Sequence, residues 1–186
     1  MIPDPSPSLE SIIPSHYARA ELSDLPDSLV ETFLVFPDER GFYLWGEPRR
    51  GKTHSMCAFA KHLWSTGWDI GRVNYEMLTL QIRDTYRAGS SASELDVLRP
   101  LLTVSKLVIE DAGTTVSAGQ QETEFSLRIF LLLLDQRIEQ CLATFVTSNK
   151  PLEELGRSFD QRVSSRIRQA CEVVQIRGRD KRSENG

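Results

Sequence analysis

The chain has 186 residues, 22 Lys plus Arg against 26 Asp plus Glu, a net charge of −4, and is 40% hydrophobic and 26% charged. These are the proportions of one soluble globular domain, and the slightly acidic balance excludes a basic nucleic-acid coat. Cys57, Cys141 and Cys171 are too few and too far apart for a disulfide scaffold, and with His16, His54 and His62 they form no zinc pattern.

In chain order, residues 1–8 are rich in Pro and Ser and read as disordered. Met1 to Pro7 lacks the basic start and apolar core of a signal peptide. Short helical stretches occupy 9–40, with Leu25-Pro26-Asp27-Ser28 as a helix start. Phe42 to Trp45 reads as a strand, 52–65 as a helix, and Arg72 to Tyr75 as a second strand. Helices are expected near 76–88 and 92–102. A third strand runs from Lys106 to Ile109 and ends in Glu110-Asp111. A polar loop over 112–121 leads to a long helix over 122–140. Ala143 to Val146 is a fourth strand, ending in Thr147-Ser148-Asn149. Helices near 151–155 and 158–170 precede a last strand, Glu172 to Ile176, and a charged, frayed tail from Gly178. The most apolar run, Ile129 to Leu134, is far short of the ~20 residues a membrane span needs. Residence in the cytoplasm, with reduced thiols and no membrane partner, is expected.

Strands alternating with helices imply an α/β fold with a mostly parallel sheet covered on both faces. In such sheets ligands bind beyond the carboxyl ends of the strands. Three candidate strands end in motif-like polar residues there.

The first is a phosphate loop. Gly46-Glu47-Pro48-Arg49-Arg50-Gly51-Lys52-Thr53 matches G-x-x-x-x-G-K-S/T in full, between a strand and a helix. The glycines let the backbone wrap round phosphates, toward which N–H groups and the helix N-terminus point. Lys52 would reach the β- and γ-phosphates of ATP, and Thr53 would hold Mg²⁺. The plain alternative is a glycine turn before a helix, but the strand–loop–helix setting argues for nucleotide binding.

The second is the acid pair. One carboxylate can take Mg²⁺ and the other can orient the attacking water. Glu110 is assigned to the metal and Asp111 to the water, with the reverse assignment open. Adjacent like charges repel unless a cation lies between them, which favours a metal site. The third is Asn149. It would help to position the water if its strand lies between the first and third, or would simply cap the helix near 151. Arg157, Arg162, Arg166 and Arg168 crowd one late helix, where arginines are usually solvated or paired with acids; an arginine finger reaching a neighbouring subunit is the functional alternative.

Together these residues resemble the DnaC/IstB-type AAA+ ATPases, the bacterial and phage helicase loaders and transposition ATPases. The resemblance covers roughly residues 12–182. Ile13-Pro14-Ser15-His16-Tyr17 is similar to that family's leading segment, and Gly41 to His54 to its strand plus Walker A, which brings His54 into the nucleotide-binding stretch. Leu107 to Gly113 resembles its Walker B, Leu134-Asp135-Gln136-Arg137 the helix end before its sensor strand, and Thr147-Ser148-Asn149 its sensor 1. Phe159 to Ile167 resembles its box VII, with Arg166 on the finger position. The resemblance implies a P-loop NTPase of AAA+ type, a three-layer sandwich on a five-stranded sheet. It implies a 1–40 extension, a 41–177 core and a 178–186 tail. The sequence departs from the pattern in two ways, Arg49 replacing the usual mid-loop glycine and the Asp-Glu order being inverted, and no helical lid is expected after the last strand.

The function so implied is ATP binding and hydrolysis in DNA replication, as a helicase loader or DNA-remodelling factor. The resemblance further implies self-association through ATP sites, a replicative helicase or other replication protein as partner, and contact with single-stranded DNA. Candidate DNA contacts are Arg83, Tyr86 and Arg87, against the plainer reading of a solvated helix face. A transposition ATPase, a nucleotide-binding adaptor with little turnover, and a small-molecule kinase are the alternatives.

Overall fold

The structure is a computed structural model describing residues 8–35, 39–113 and 122–177. Five strands, β1 Gly41–Trp45, β2 Ile70–Asn74, β3 Lys106–Glu110, β4 Ala143–Ser148 and β5 Cys171–Gln175, make one sheet in the order β2-β3-β4-β1-β5. Every pairing in it is parallel. The helices are α1 Leu9–Ile12, α2 Asp27–Leu34, α3 Lys52–Ser65, α4 Tyr75–Asp84, α5 Glu94–Thr103, α6 Glu124–Glu139, α7 Leu152–Ser158 and α8 Gln161–Ala170. Two 3₁₀ turns, Ser15–Tyr17 and Leu22–Asp24, lie between α1 and α2.

The sheet separates two apolar layers, as strand alternation requires. Tyr43, Leu107, Ile109 and Val146 face one layer, filled from α4 to α8 by residues such as Leu78, Leu98, Phe130, Leu155 and Ile167. Phe42, Leu44, Val108 and Phe145 face the other, filled by α1, α2 and α3. There Phe33, Phe42, Phe59 and Phe145 pack with ring centroids 4.6–5.7 Å apart. Burying each ring contributes roughly 1.5–3 kcal/mol. Gly41 opens β1 where the backbone of β4 leaves no room for a side chain: a Cβ there would lie 1.7 Å from the Thr144 carbonyl oxygen. Gly41→Ala is expected to cost about 2–3 kcal/mol by forcing β1 from β4, read as a lowered urea midpoint at unchanged slope.

The expected elements are present, with shifted ends. The helix expected to reach 88 stops as an α-helix at Asp84, and β5 begins at Cys171 because its register with β1 pairs Gly41 with Cys171. The fourth strand continues through Thr147 and Ser148, both fully buried. There the Ala112 N–H donates to the Thr147 carbonyl and the Ser148 hydroxyl to the Ala112 carbonyl. The start of the chain to residue 7, most of the 112–121 loop and the tail from 178 fall outside the described residues. No helix among the described residues is long and apolar enough to cross a membrane.

Candidate nucleotide site

The site is built at the carboxyl ends of β1, β3 and β4, which the sheet order makes neighbours. Since β4 lies between β1 and β3, the condition set for Asn149 is met. The loop after β1 leads to the positive end of α3. Gly51 precedes the helix with φ 87°, a left-handed conformation that suits glycine. Arg49 also lies there, with φ 66°. A side chain in that region costs about 1–2 kcal/mol, which accounts for the glycine usual at this place.

Lys52 is buried and curls over its own loop: Nζ donates to the Gly46 carbonyl at 2.8 Å and the Glu47 carbonyl at 2.9 Å. Burial pushes its pKa down, opposed by the charge of Asp111. Arg50 pairs with Glu47 at 2.5 Å across the loop's outer side. Beside the loop opens a cavity of about 1060 Å³, lined by Pro48, Arg49, Gly51, Lys52, Thr53, His54, Asp111 and Asn149. Its other wall is the segment before α2: His16, Tyr17, Arg19, Ala20 and Asp24. Asp24 holds His54 with a 3.2 Å contact, so the leading segment is fastened to the first turn of α3. A second cavity, about 680 Å³, lies among Leu25, Pro26, Leu29, Arg50, Val174 and Ile176, and Asp24 and Gly51 line both cavities.

The two acids part company. Asp111 lines the cavity, and its φ is 59°, again left-handed. Its N–H donates to the Thr147 hydroxyl at 3.1 Å, and the Asn74 amide donates to its carboxylate at 3.2 Å. Glu110, expected at the metal, points elsewhere. Its carboxylate is ion-paired with Arg72 on β2, and its side chain is 3% exposed. Burial raises its pKa, with the Arg72 guanidinium opposing. Thr53 and Asp111 offer hard oxygen donors on one cavity, which fits Mg²⁺ held jointly with substrate phosphates.

Asn149 also lines the cavity and does not cap the following helix: α7 is preceded by Pro151, with no side-chain cap. Arg166 does not line this cavity. It sits on α8, half-exposed, 2.5 Å from Asp135. The DNA candidates lie on another part of the surface. Arg83 stacks over Phe125 at 5.1 Å, Tyr86 is hydrogen-bonded to Glu94 and Arg128, and Arg87 pairs with Asp84 at 2.7 Å. Asn74, His16, Tyr17 and Asp24 were not foreseen as site residues. Asn74 carries the same signal as the others, a strand ending in a polar side chain.

The family described as "IstB-like ATP binding protein" matches residues 28–185. The replicative helicase loader DnaC of Escherichia coli strain K12 is 28% identical over 127 residues, 68% of this chain and 49% of that protein. The chain thus spans about half the length of the curated relatives it matches. The crystal structure of the DnaC helicase loader superposes with a TM-score of 0.74 at 18% identity, over 88% of this chain and 99% of that one. The crystal structure of DnaI gives 0.71 at 20% identity, over 88% and 94%. These likenesses show the fold, a parallel sheet with flanking helices shared with the DnaC and DnaI structures. The family match runs from α2 past β5, through the whole sheet and its phosphate loop, and the chain belongs to the IstB-like ATP binding proteins.

Proposed function

We propose that the chain binds ATP with Mg²⁺ beside the phosphate loop, hydrolyses it to ADP and phosphate, and acts in DNA replication as a helicase loader or DNA-remodelling factor. The observation that carries this reading is the convergence of Lys52, Thr53, Asp111 and Asn149 on one cavity from three neighbouring strand ends. Lys52 would exchange its two carbonyl acceptors for β- and γ-phosphate oxygens. Thr53 and Asp111 would hold Mg²⁺, which supplies neutralisation of the phosphate charge. The Asn149 amide would orient the attacking water. The apolar groups of the second cavity, which shares Asp24 and Gly51 with the first, suit the base.

Arg166 would act on the site of a neighbouring copy, where its charge stabilises the γ-phosphate. Its position outside its own cavity and its half-exposed guanidinium support that role. Mixing Lys52→Ala chains with Arg166→Ala chains tests it. Steady-state phosphate release should partly recover in the mixture, because one wild-type junction can form between the two defective chains. Full activity of isolated Arg166→Ala monomers would sink the shared site.

Likeness to the helicase loader DnaC supports a replicative helicase as partner. Single-stranded DNA is proposed as a further partner, with Arg87, 82% exposed at its side chain, among the candidate contacts. ATPase turnover should rise when single-stranded DNA and helicase are added. No turnover in any of these mixtures would point instead to an adaptor that switches partners on nucleotide binding.

A further inference from the structure

Arg72 stands opposite Val108 in the β2–β3 register, so it shares a sheet face with Glu110, two residues further along β3. Its guanidinium meets one Glu110 carboxylate oxygen, Oε2, directly. The two side chains are 21% and 3% exposed, so the pair is enclosed. A second guanidinium nitrogen donates to the Ile12 carbonyl at 3.5 Å, at the end of α1. The other carboxylate oxygen, Oε1, is buried with no hydrogen-bond partner among the described residues. A glutamate is one methylene longer than an aspartate, and here that length carries its carboxylate sideways to β2. Asp111, the next residue, turns through a left-handed conformation to reach the cavity that Thr53 lines.

We propose that Arg72 is a positioning residue that occupies Glu110 as an internal counter-ion, withholding it from the metal, so that Thr53 and Asp111 alone serve Mg²⁺. The inference rests on the nucleotide-site reading above. It explains the inverted order of the acids: the first position has become part of the packed core, and the second has taken over the cavity. A divalent cation brought to Glu110 would have to displace a guanidinium already ion-paired with its buried carboxylate.

The test is Mn²⁺ binding to the full chain saturated with a non-hydrolysable ATP analogue, followed by electron paramagnetic resonance, with fluorescent ATP binding measured in parallel. The double variant Arg72→Met/Glu110→Met replaces a buried ion pair with apolar groups of similar length, a change that is often neutral for folding. It should bind Mn²⁺ within about twofold of wild type, whereas Asp111→Asn should weaken Mn²⁺ by about tenfold or more. Arg72→Met alone frees the carboxylate and should tighten Mn²⁺, an effect that a purely structural role for Arg72 would not produce. Should that single variant fail to fold, the double variant decides. Loss of Mn²⁺ affinity in the double variant as large as in Asp111→Asn would overturn the inference, with fluorescent ATP binding intact. Wild-type chain that binds no fluorescent ATP would overturn the nucleotide reading and this inference with it.

Discussion

Lys52→Ala is expected to weaken ATP binding by at least about a hundredfold, or 2.7 kcal/mol. The ammonium can make two charge-assisted hydrogen bonds to phosphates, each contributing about 1.5–3 kcal/mol. It already makes two such bonds to the Gly46 and Glu47 carbonyls, so the loop holds the lysine ready over the place the phosphates would take. Burial lowers its pKa, and phosphate oxygens would restore the stabilisation of the charged form that water cannot supply there. The fold itself should survive. The loss of two hydrogen bonds to loop carbonyls should cost about 1–3 kcal/mol, a fraction of the stability of a domain of this kind. Titration with a fluorescent ATP analogue, beside urea unfolding of the same sample, checks both halves. Affinity retained within a few-fold would show that the cavity is not a phosphate site.

The second large effect is expected far from the nucleotide. Arg137, near the C-terminal end of α6, is fully buried. Its guanidinium donates to the carbonyls of Leu101 and Val104, each at 2.8 Å, to Ala143 at 2.7 Å and to the Thr144 hydroxyl at 2.9 Å. No carboxylate is among these partners. Desolvation pushes its pKa down to about 10, so the group is still charged at neutral pH. The planar fork gathers carbonyls from the end of α5 and from the start of β4, just where the chain enters β3 and β4. Arg137→Ala removes that donor set and leaves a cavity as well, at a cost of about 3–5 kcal/mol. A domain of this kind is stable by only about 5–15 kcal/mol, so the variant should be largely unfolded or melt many degrees lower. Arg137→Lys should recover part of the loss, since an ammonium has three donors and no plane. A small change in the urea midpoint for Arg137→Ala would contradict this account.

The same two residues mark what the sequence made legible and what it did not. Lys52 sits in a loop whose spacing has one physical meaning, and the strand before it and the helix after it were expected at nearly their observed limits. The β3 and β4 ends were visible too, because apolar runs stopping at polar residues are local signals. Arg137 carries no such local physical signal, and entered only within the stretch Leu134 to Arg137 that resembles the family's helix end. A lone arginine in a helix reads as surface, and its burial follows only from three segments converging beneath the sheet. The Arg72–Glu110 pair is hidden for the same reason: the sequence places Glu110 beside Asp111 but says nothing of the β2 residue that pairs with it. Asn149 by itself read as a cap, and only the resemblance pointed to the site; the structure leaves α7 uncapped by a side chain and lines the cavity with Asn149. The leading segment, with His16, Tyr17 and Asp24, walls the cavity through tertiary packing alone, and its sequence has no periodicity that would betray it.

The order of the strands has a consequence for synthesis. β1 comes first in the chain, yet its two neighbours are β4 and β5, which follow it by about a hundred residues or more. Until residue 148 has left the ribosome, the strand that carries the phosphate loop has no edge to pair with. The earlier part of the chain can assemble only β2 against β3, a two-stranded fragment with a greasy face and no grip on phosphate. Long-range closure of this kind is slow to form. ATP binding is therefore acquired late and all at once, as the last third of the polypeptide slides into the middle and far edge of the sheet. A truncated or stalled chain carries the full G-x-x-x-x-G-K-T motif and remains unable to use it.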